Sequence, residues 1–412
     1  MTQRLDGKTI VLGLTGGIAC YKSAELVRAL VQAGAAVRVM MSAAAQQFIT
    51  PLTLQTLSGH SVATATFDLT QESEIGHIRL ADSADVVIIA PATANVIGKL
   101  AAGIADDVIT TVLLAARAPV LLAPAMNVNM WENPIVQANL NRLRAYGYHL
   151  VEPDAGFLAC GWEGKGRLPD TQVLVAEIER ALSAQDLRGE RVLVTAGPNR
   201  EPIDPVRFIS NRSTGKMGFA VAAAAWRRGA TVTLIAGPTA LATPHGVRRI
   251  DATTAEDMRQ AVHAEIDATT MLFMAAAVAD YRPTRVADKK LKKGAGNMTL
   301  ELQRTTDILK ELPTRKHGCV VVGFAAETDE VLANAERKLR DKHLDLIVAN
   351  DVAGSQTGFE VDTNAVTMID RGGTHETVPL MSKDAVADRI LDRALRIKQH
   401  QNAPPSAKLH SV

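Results

Sequence analysis

The sequence predicts an α/β protein of two doubly wound domains, each a parallel sheet with helices on both faces. Three observations predict it. Short apolar runs rich in β-branched residues alternate with helical patterns, as in strand–helix–strand units that bury both faces of a sheet. The series starts afresh at Arg191. The chain has 412 residues, more than one hydrophobic core ordinarily organises.

In the first half, runs of strand length occupy 9–14, 37–41, 86–90 and 120–123, with helical patterns at 19–33 and 106–116. In the second half, strands are expected at 192–195, 231–235, 271–275, 320–323, 346–349 and 365–369, with a helix at 219–228. Each half enters its second strand through a Gly-Ala corner, Gly34-Ala35 and Gly229-Ala230. The apolar pattern lapses over 183–190, which places the domains at 1–188 and 189–398. The polar, Pro-containing residues 399–412 are expected to form a disordered tail.

The 45 basic and 44 acidic residues nearly cancel and only 4% of residues are aromatic. This argues against a nucleic-acid or membrane surface and leaves small molecules as the expected partners. Cys20, Cys160 and Cys319 are too scattered for a disulfide framework or a zinc site and fit a reducing cytoplasm. No apolar run approaches the length of a bilayer span.

Several motifs carry chemistry. Gly16-Gly17-Ile18 follows the first strand and opens a helix, where amides and the dipole favour a phosphate. The spacing is not that of a dinucleotide fingerprint, and the second strand ends at Met41-Ser42 without an acidic residue for a ribose. That favours a mononucleotide, FMN, over NAD. Ser42, Thr93 and Asn95 fall at strand ends, where they can face a ligand or simply cap turns. His77 lies in a polar stretch, and Asn127 follows Pro124 with an amide that both donates and accepts. The segment 158–168 combines Cys160 with Gly161, Gly164, Gly166, Lys165 and Arg167, a glycine-rich loop whose cations favour an anion or a thiolate.

In the second half, the connection 196–218 is too long for a compact domain to keep without a binding role. Ser213-Thr214-Gly215-Lys216 lacks the upstream glycine of a P-loop, although Arg212 and Lys216 at a helix start still suit a phosphate. Lys289, Lys290, Lys292 and Lys293 form a cationic run, which by itself reads as a solvated face.

The motifs Gly16-Gly17-Ile18-Ala19, Gly76-His77-Ile78, 91–95, 124–127 and Ala159-Cys160-Gly161 follow one another as in flavin-dependent cysteine decarboxylases. The motifs 211–218, 275–281, 289–293 and 323–328 resemble phosphopantothenate–cysteine ligase. From about residue 8 to 397 the chain resembles the bacterial bifunctional phosphopantothenoylcysteine decarboxylase/phosphopantothenate–cysteine ligases of coenzyme A synthesis. The resemblance implies a flavodoxin-like flavoprotein domain of the cysteine decarboxylase type, then a Rossmann-like ligase domain. It implies FMN held by Gly16, Gly17, Ile18, Ser42, Thr93, Asn95 and Met126. His77 would be the catalytic base, Asn127 would anchor substrate, and Cys160 would protonate the enethiolate carbon after oxidation and loss of CO₂.

For the ligase it implies a CTP site of Met274, Ala275, Ala276, Asp280, Lys290, Thr306, Asp307, Ile308, Leu309, Phe324, Lys338 and Lys342. Lys290 would assist formation of an acyl-cytidylate that Asn211 positions. Mg²⁺ would screen the triphosphate, with Asp280 a candidate ligand. The implied partners are 4'-phosphopantothenate, L-cysteine and CTP. The implied assembly is a homo-oligomer with a trimeric decarboxylase core and paired ligase domains, of which a dodecamer is one form. Three departures stand out: Leu168-Pro169-Asp170 replaces the commoner Met and following Glu, Thr93 replaces Ser, and Thr306 replaces Pro. A flavin-binding regulator without activity could dispense with Cys160 and Lys290, and a flavin prenyltransferase-like first domain would leave the ligase motifs unexplained.

Overall fold

The computed structural model describes residues 4–66, 76–157, 161–293, 297–312, 318–327, 330–351, 358 and 360–402. The chain divides into two compact units, Met1–Ser183 and Ala184–Val412.

In the first unit, β1 (Thr9–Leu14), β2 (Ala36–Met41), β3 (Val86–Ala92), β4 (Val120–Pro124) and β5 (His149–Leu150) form a parallel sheet in the order β2-β1-β3-β4-β5. Apolar side chains point to both faces of the central strands, and every residue of β3 is buried. Helices Cys20–Gln32 and Thr171–Leu182 place Leu26, Leu30, Leu174 and Ile178 in the core formed with Leu12 and Ile88. Helices Ala94–Ala102, Val108–Ala115 and Pro134–Ala145 place Ile97, Ile109, Val112 and Leu140 in the core formed with Val11 and Ile89. The glycine-rich segment expected as a loop is an antiparallel hairpin of β6 (Asp154–Phe157) and β7 (Glu163–Arg167). Cys160 lies outside the described residues.

The second unit contains β8 (Arg191–Ala196), the hairpin β9 (Arg200–Pro202) and β10 (Phe208–Ser210), β11 (Thr231–Ala236), β12 (Arg248–Asp251), β13 (Met271–Met274), the pair β14 (Tyr281–Pro283) and β15 (Leu302–Arg304), β16 (Val320–Glu327), β17 (Leu346–Asp351), β18 (Thr363–Asp370) and β19 (His375–Ser382). Its main sheet runs β12-β11-β8-β13-β16-β17-β18-β19. It is parallel as far as β17, and β18 and β19 extend it antiparallel. Alternation of β12 and β19 with polar residues, as edge strands allow, hid both from the apolar pattern.

One face of this sheet is covered by helices Lys216–Arg227 and Lys383–Asn402, the other by Ala255–Glu265 and Val331–Asp341. The first of these begins three residues before the expected start at 219. The last helix includes residues 399–402, which the sequence reading had placed in the tail, and residues 403–412 lie outside the described residues. No helix among the described residues is long and apolar enough to cross a membrane. Ile390 has no exposed surface and shares the core with Val194, Phe273 and Val322. Replacing it with alanine is expected to cost the second unit about 2–5 kcal/mol. Calorimetry should show that unit's transition lowered while the first unit's is unmoved.

Candidate active sites

In the first sheet the second strand lies on one side of β1 and the third on the other. The connections after β1 and β3 therefore leave on opposite faces and open a crevice at the carboxyl ends of these strands, where open α/β sheets bind ligands. Buried Thr15 ties the two ends together: its hydroxyl donates to the Pro91 carbonyl at 2.7 Å and accepts from the Thr93 amide at 2.9 Å. Gly16 passes so close to the turn after β2 that a Cβ there would stand 2.4 Å from that of Ala44. Gly16, Gly17 and Ile18 thus pass between the ends of β2 and β3, with Ile18 exposed at the start of helix Cys20–Gln32. Ser42 accepts from the Ala45 amide at 3.2 Å and Thr93 caps helix Ala94–Ala102, so both perform the capping expected of their residue types. Asn95 is exposed on that helix. The donor set, a glycine turn at a helix start flanked by small hydroxyl side chains, suits an anionic group such as a phosphate.

The hairpin β6–β7 is fastened to the segment after β4. The Met126 amide donates to the Gly166 carbonyl at 3.0 Å. Gly166 has φ 146°, and a Cβ there would lie 2.2 Å from the Met126 oxygen, so only glycine permits the contact. The Lys165 ammonium stands 5.4 Å from the Trp131 ring centroid and pairs with Glu152 at 2.6 Å. Asn127 accepts from the Asn129 amide at 2.8 Å through Oδ1. His77 is the second residue of helix Gly76–Ser83, not a loop residue, and its buried Nδ1 has no hydrogen-bond partner among the described residues.

The second unit holds a cavity of about 550 Å³. Its sheet order reverses between β8 and β13, and the cavity is lined by Asn211 to Gly218 from the connection after β8 and by Met274 to Asp280 from the end of β13 onward. Thr306, Asp307, Ile308, Leu309, Phe324, Lys338 and Lys342 complete the wall expected from sequence. Asn211 donates through Nδ2 to the Ala277 carbonyl at 3.0 Å, and Lys338 donates to the Phe324 carbonyl at 2.8 Å. Lys342 pairs with Asp307 at 3.1 Å. The Thr305 hydroxyl donates to the Ala279 carbonyl at 2.5 Å and so holds the chain after β13.

Lys290 does not line this cavity; it is exposed in the coil after β14. Conversely, the cavity includes Asn350, Asn364 and Lys383, which sequence reasoning missed. Asn350 stands near the end of β17, a position that strand ends generally make worth inspecting. Lys383 had no such signal, because an antiparallel extension and the start of the last helix bring it there. Its amine donates to the carbonyls of Gly358 at 2.9 Å and Val361 at 2.5 Å. Burial, and next the charge of Lys216, lower its pKa to about 8. Lys216 itself donates to the Glu360 carbonyl and to Asp362, both at 2.7 Å. The lining thus carries Arg212, Lys216, Lys338, Lys342 and Lys383 against Asp280 and Asp307, an excess of positive charge suited to a polyanion. Among the described residues no group of three or more His, Cys, Asp or Glu could hold a metal.

Residues 1–183 match the Flavoprotein family, and residues 187–397 match the DNA/pantothenate metabolism flavoprotein C-terminal domain. The chain is 51% identical over 391 residues to the coenzyme A biosynthesis bifunctional protein of Bacillus subtilis (strain 168), covering 94% of this chain and 96% of that one. It is 45% identical over 403 residues to the protein of the same description from Escherichia coli (strain K12), covering 97% and 99%. A solved structure of the C-terminal domain of a coenzyme A biosynthesis bifunctional protein is 41% identical, covers 53% of this chain and 100% of its own, and has a TM-score of 0.46. With both family domains in one order and relatives similar along nearly their whole length, the chain belongs to the bifunctional enzymes of coenzyme A biosynthesis, which join a flavoprotein decarboxylase to a ligase.

Proposed function

We propose that the second unit joins L-cysteine to 4'-phosphopantothenate at the expense of CTP, and that the first decarboxylates the 4'-phosphopantothenoylcysteine so formed to 4'-phosphopantetheine. The observation that carries this reading is the cationic cavity at the β8/β13 reversal, lined by every residue expected of the CTP site except Lys290. A carboxylate is a poor electrophile until a good leaving group is attached. Reaction with CTP would release pyrophosphate and make the acyl-cytidylate, from which the cysteine amine displaces CMP. Lys338 and Lys342 would neutralise phosphate charge, and Asn211 would orient the acyl group. Among the described residues, Asp280 is the carboxylate on the wall without the lysine partner that Asp307 has. It suits Mg²⁺, which takes one or two carboxylates and completes its shell with phosphates and water.

In the first unit, FMN would supply the reversible removal of hydride that lets the substrate carboxylate leave as CO₂. Gly16, Gly17, Ile18, Ser42, Thr93, Asn95 and Met126 would bind it at the β1/β3 crevice. His77, with Nδ1 unclaimed by any described residue, would move a proton at the start of the reaction, and Asn127 would hold the substrate. Cys160 would return a proton to carbon. The hairpin locked at Gly166 would carry that thiol over the site. The enzyme would act in the cytoplasm as a homo-oligomer, with trimeric decarboxylase contacts and paired ligase domains.

Purified protein given phosphopantothenate, cysteine, CTP and Mg²⁺ is expected to yield CMP and phosphopantetheine together, with ATP a poorer substrate. Equal turnover with ATP would remove the CTP assignment and leave the ligase. His77→Asn should keep the flavin absorbance but abolish its bleaching by substrate in rapid mixing, while CMP formation continues. Gly166→Ala should slow decarboxylation on the order of 100-fold by displacing the hairpin, again with normal CMP release; an unchanged decarboxylation rate would detach the hairpin from the chemistry.

A further inference from the structure

The connection from β8 to the cavity contains a buried acid that the proposed ligase chemistry does not use. Asp204 sits in the turn of the β9–β10 hairpin with no exposed side-chain surface. One carboxylate oxygen accepts from the amides of Val206 at 2.8 Å and Arg207 at 2.9 Å. The other accepts from the Arg207 guanidinium at 3.0 and 2.6 Å and from the Leu291 amide at 3.1 Å. Arg207 also donates to the Leu291 carbonyl at 2.8 Å. Both polar groups of the Leu291 main chain are therefore gripped from one turn, and the Ala287 amide is held by the Ile203 carbonyl at 3.0 Å. The open end of the same hairpin runs from Ser210 directly into Asn211 on the cavity wall.

We propose that Asp204 is a positioning residue for the ligase reaction, fixing the lysine run 289–293 relative to Asn211 through Arg207 and the main chain of Leu291. The proposal rests on the ligase reading, in which Lys290 assists activation. One short hairpin then sets two elements of that reaction: Asn211 at its open end, and the segment that carries Lys290 at its turn. The Arg207 hydrogen bonds, with the Leu291, Val206 and Arg207 amides, hold the Asp204 carboxyl well below the usual carboxylate range. It is thus an ionised acceptor at neutral pH, and charge-assisted bonds to it are the strong kind. Asparagine would offer one acceptor oxygen and an amide that faces donors with another donor.

The test uses the full chain. Asp204→Asn and Leu291→Pro, which removes the gripped amide donor and also fixes φ at 291 and restricts Lys290 before it, should each lower the kcat of CMP formation on the order of 10- to 100-fold. Leu291→Ala, which keeps that amide, should stay near wild type. The KM for cysteine and the decarboxylation of supplied phosphopantothenoylcysteine should not change, and trypsin should cut faster after Lys289, Lys292 and Lys293 in the two impaired variants, and after Lys290 in Asp204→Asn, whose Lys290–Leu291 bond stays cleavable. If Asp204→Asn unfolds the second unit, Arg207→Gln, which removes the guanidinium bonds to Asp204 and to the Leu291 carbonyl, takes its place and is expected to show the same fall in kcat. Wild-type kcat in Leu291→Pro, or an equal loss in Leu291→Ala, overturns the proposal. A wild-type chain that forms no CMP overturns the ligase reading instead.

Discussion

Both sites depend on one constraint of parallel sheets. Strand–helix–strand crossovers are right-handed, so two connections that start on neighbouring strands and run in opposite directions must leave on opposite faces of the sheet. No backbone then covers the gap between the carboxyl ends of those strands. The orders β2-β1-β3 and β11-β8-β13 create this gap once in each unit. Glycine turns and helix starts lie beside both gaps, so each gap presents amides, and in the second unit cations, to an anionic ligand. Without the reversal, the same residues would be surface turns.

The two units build their crevices differently. In the first, close backbone approach dominates: Gly16 against Ala44, Gly166 against Met126, and Thr15 bridging β1 and β3. These contacts leave little room for side chains and suit a cofactor that is bound and kept. In the second, the cavity is broad, and its cations are held by carbonyls or single carboxylates, Lys338 by Phe324 and Lys342 by Asp307. A phosphate can replace such partners at modest cost, because an ion pair in a partly hydrated wall is worth little on its own. Under the proposed ligase reaction, that suits a nucleotide consumed and released in every cycle.

The connection between β8 and helix Lys216–Arg227 unites fold and chemistry in the second unit. Its hairpin is small, with three residues in each strand, too little to be stable by itself. Its geometry comes from two buried acids: Asp204 within its turn, and Glu201 on β9, which accepts from the Ala255 amide at 2.7 Å at the start of a helix. A buried carboxylate is tolerated only when its lone pairs are occupied. Here the requirement fastens the hairpin to two distant parts of the chain, 255 and 291.

The periodicity of apolar residues was sufficient to locate the central strands, because β1, β3, β8 and β13 are buried and must be apolar, and three of the covering helices, Cys20–Gln32, Val108–Ala115 and Lys216–Arg227. It did not locate β12, β19 or the β6–β7 hairpin, where exposed or edge positions allow polar residues and glycine. The glycine turn Gly16 to Ile18 was legible because a short turn keeps such residues near the strand end, whereas Asn211, at the far end of a long connection, and Asp280 were expected only from the family resemblance. What sequence could not supply was any contact made across long separations: Lys383 beside Lys216, Asp204 on Leu291, Gly166 on Met126, or the coil that leaves Lys290 off the cavity wall. Those depend on how helices and hairpins pack, and many pairings satisfy the same local pattern. The amino-acid sequence by itself determined which residues are chemically able to act, and the tertiary structure decided which of them meet, because only packing converts separation along the chain into distance in space.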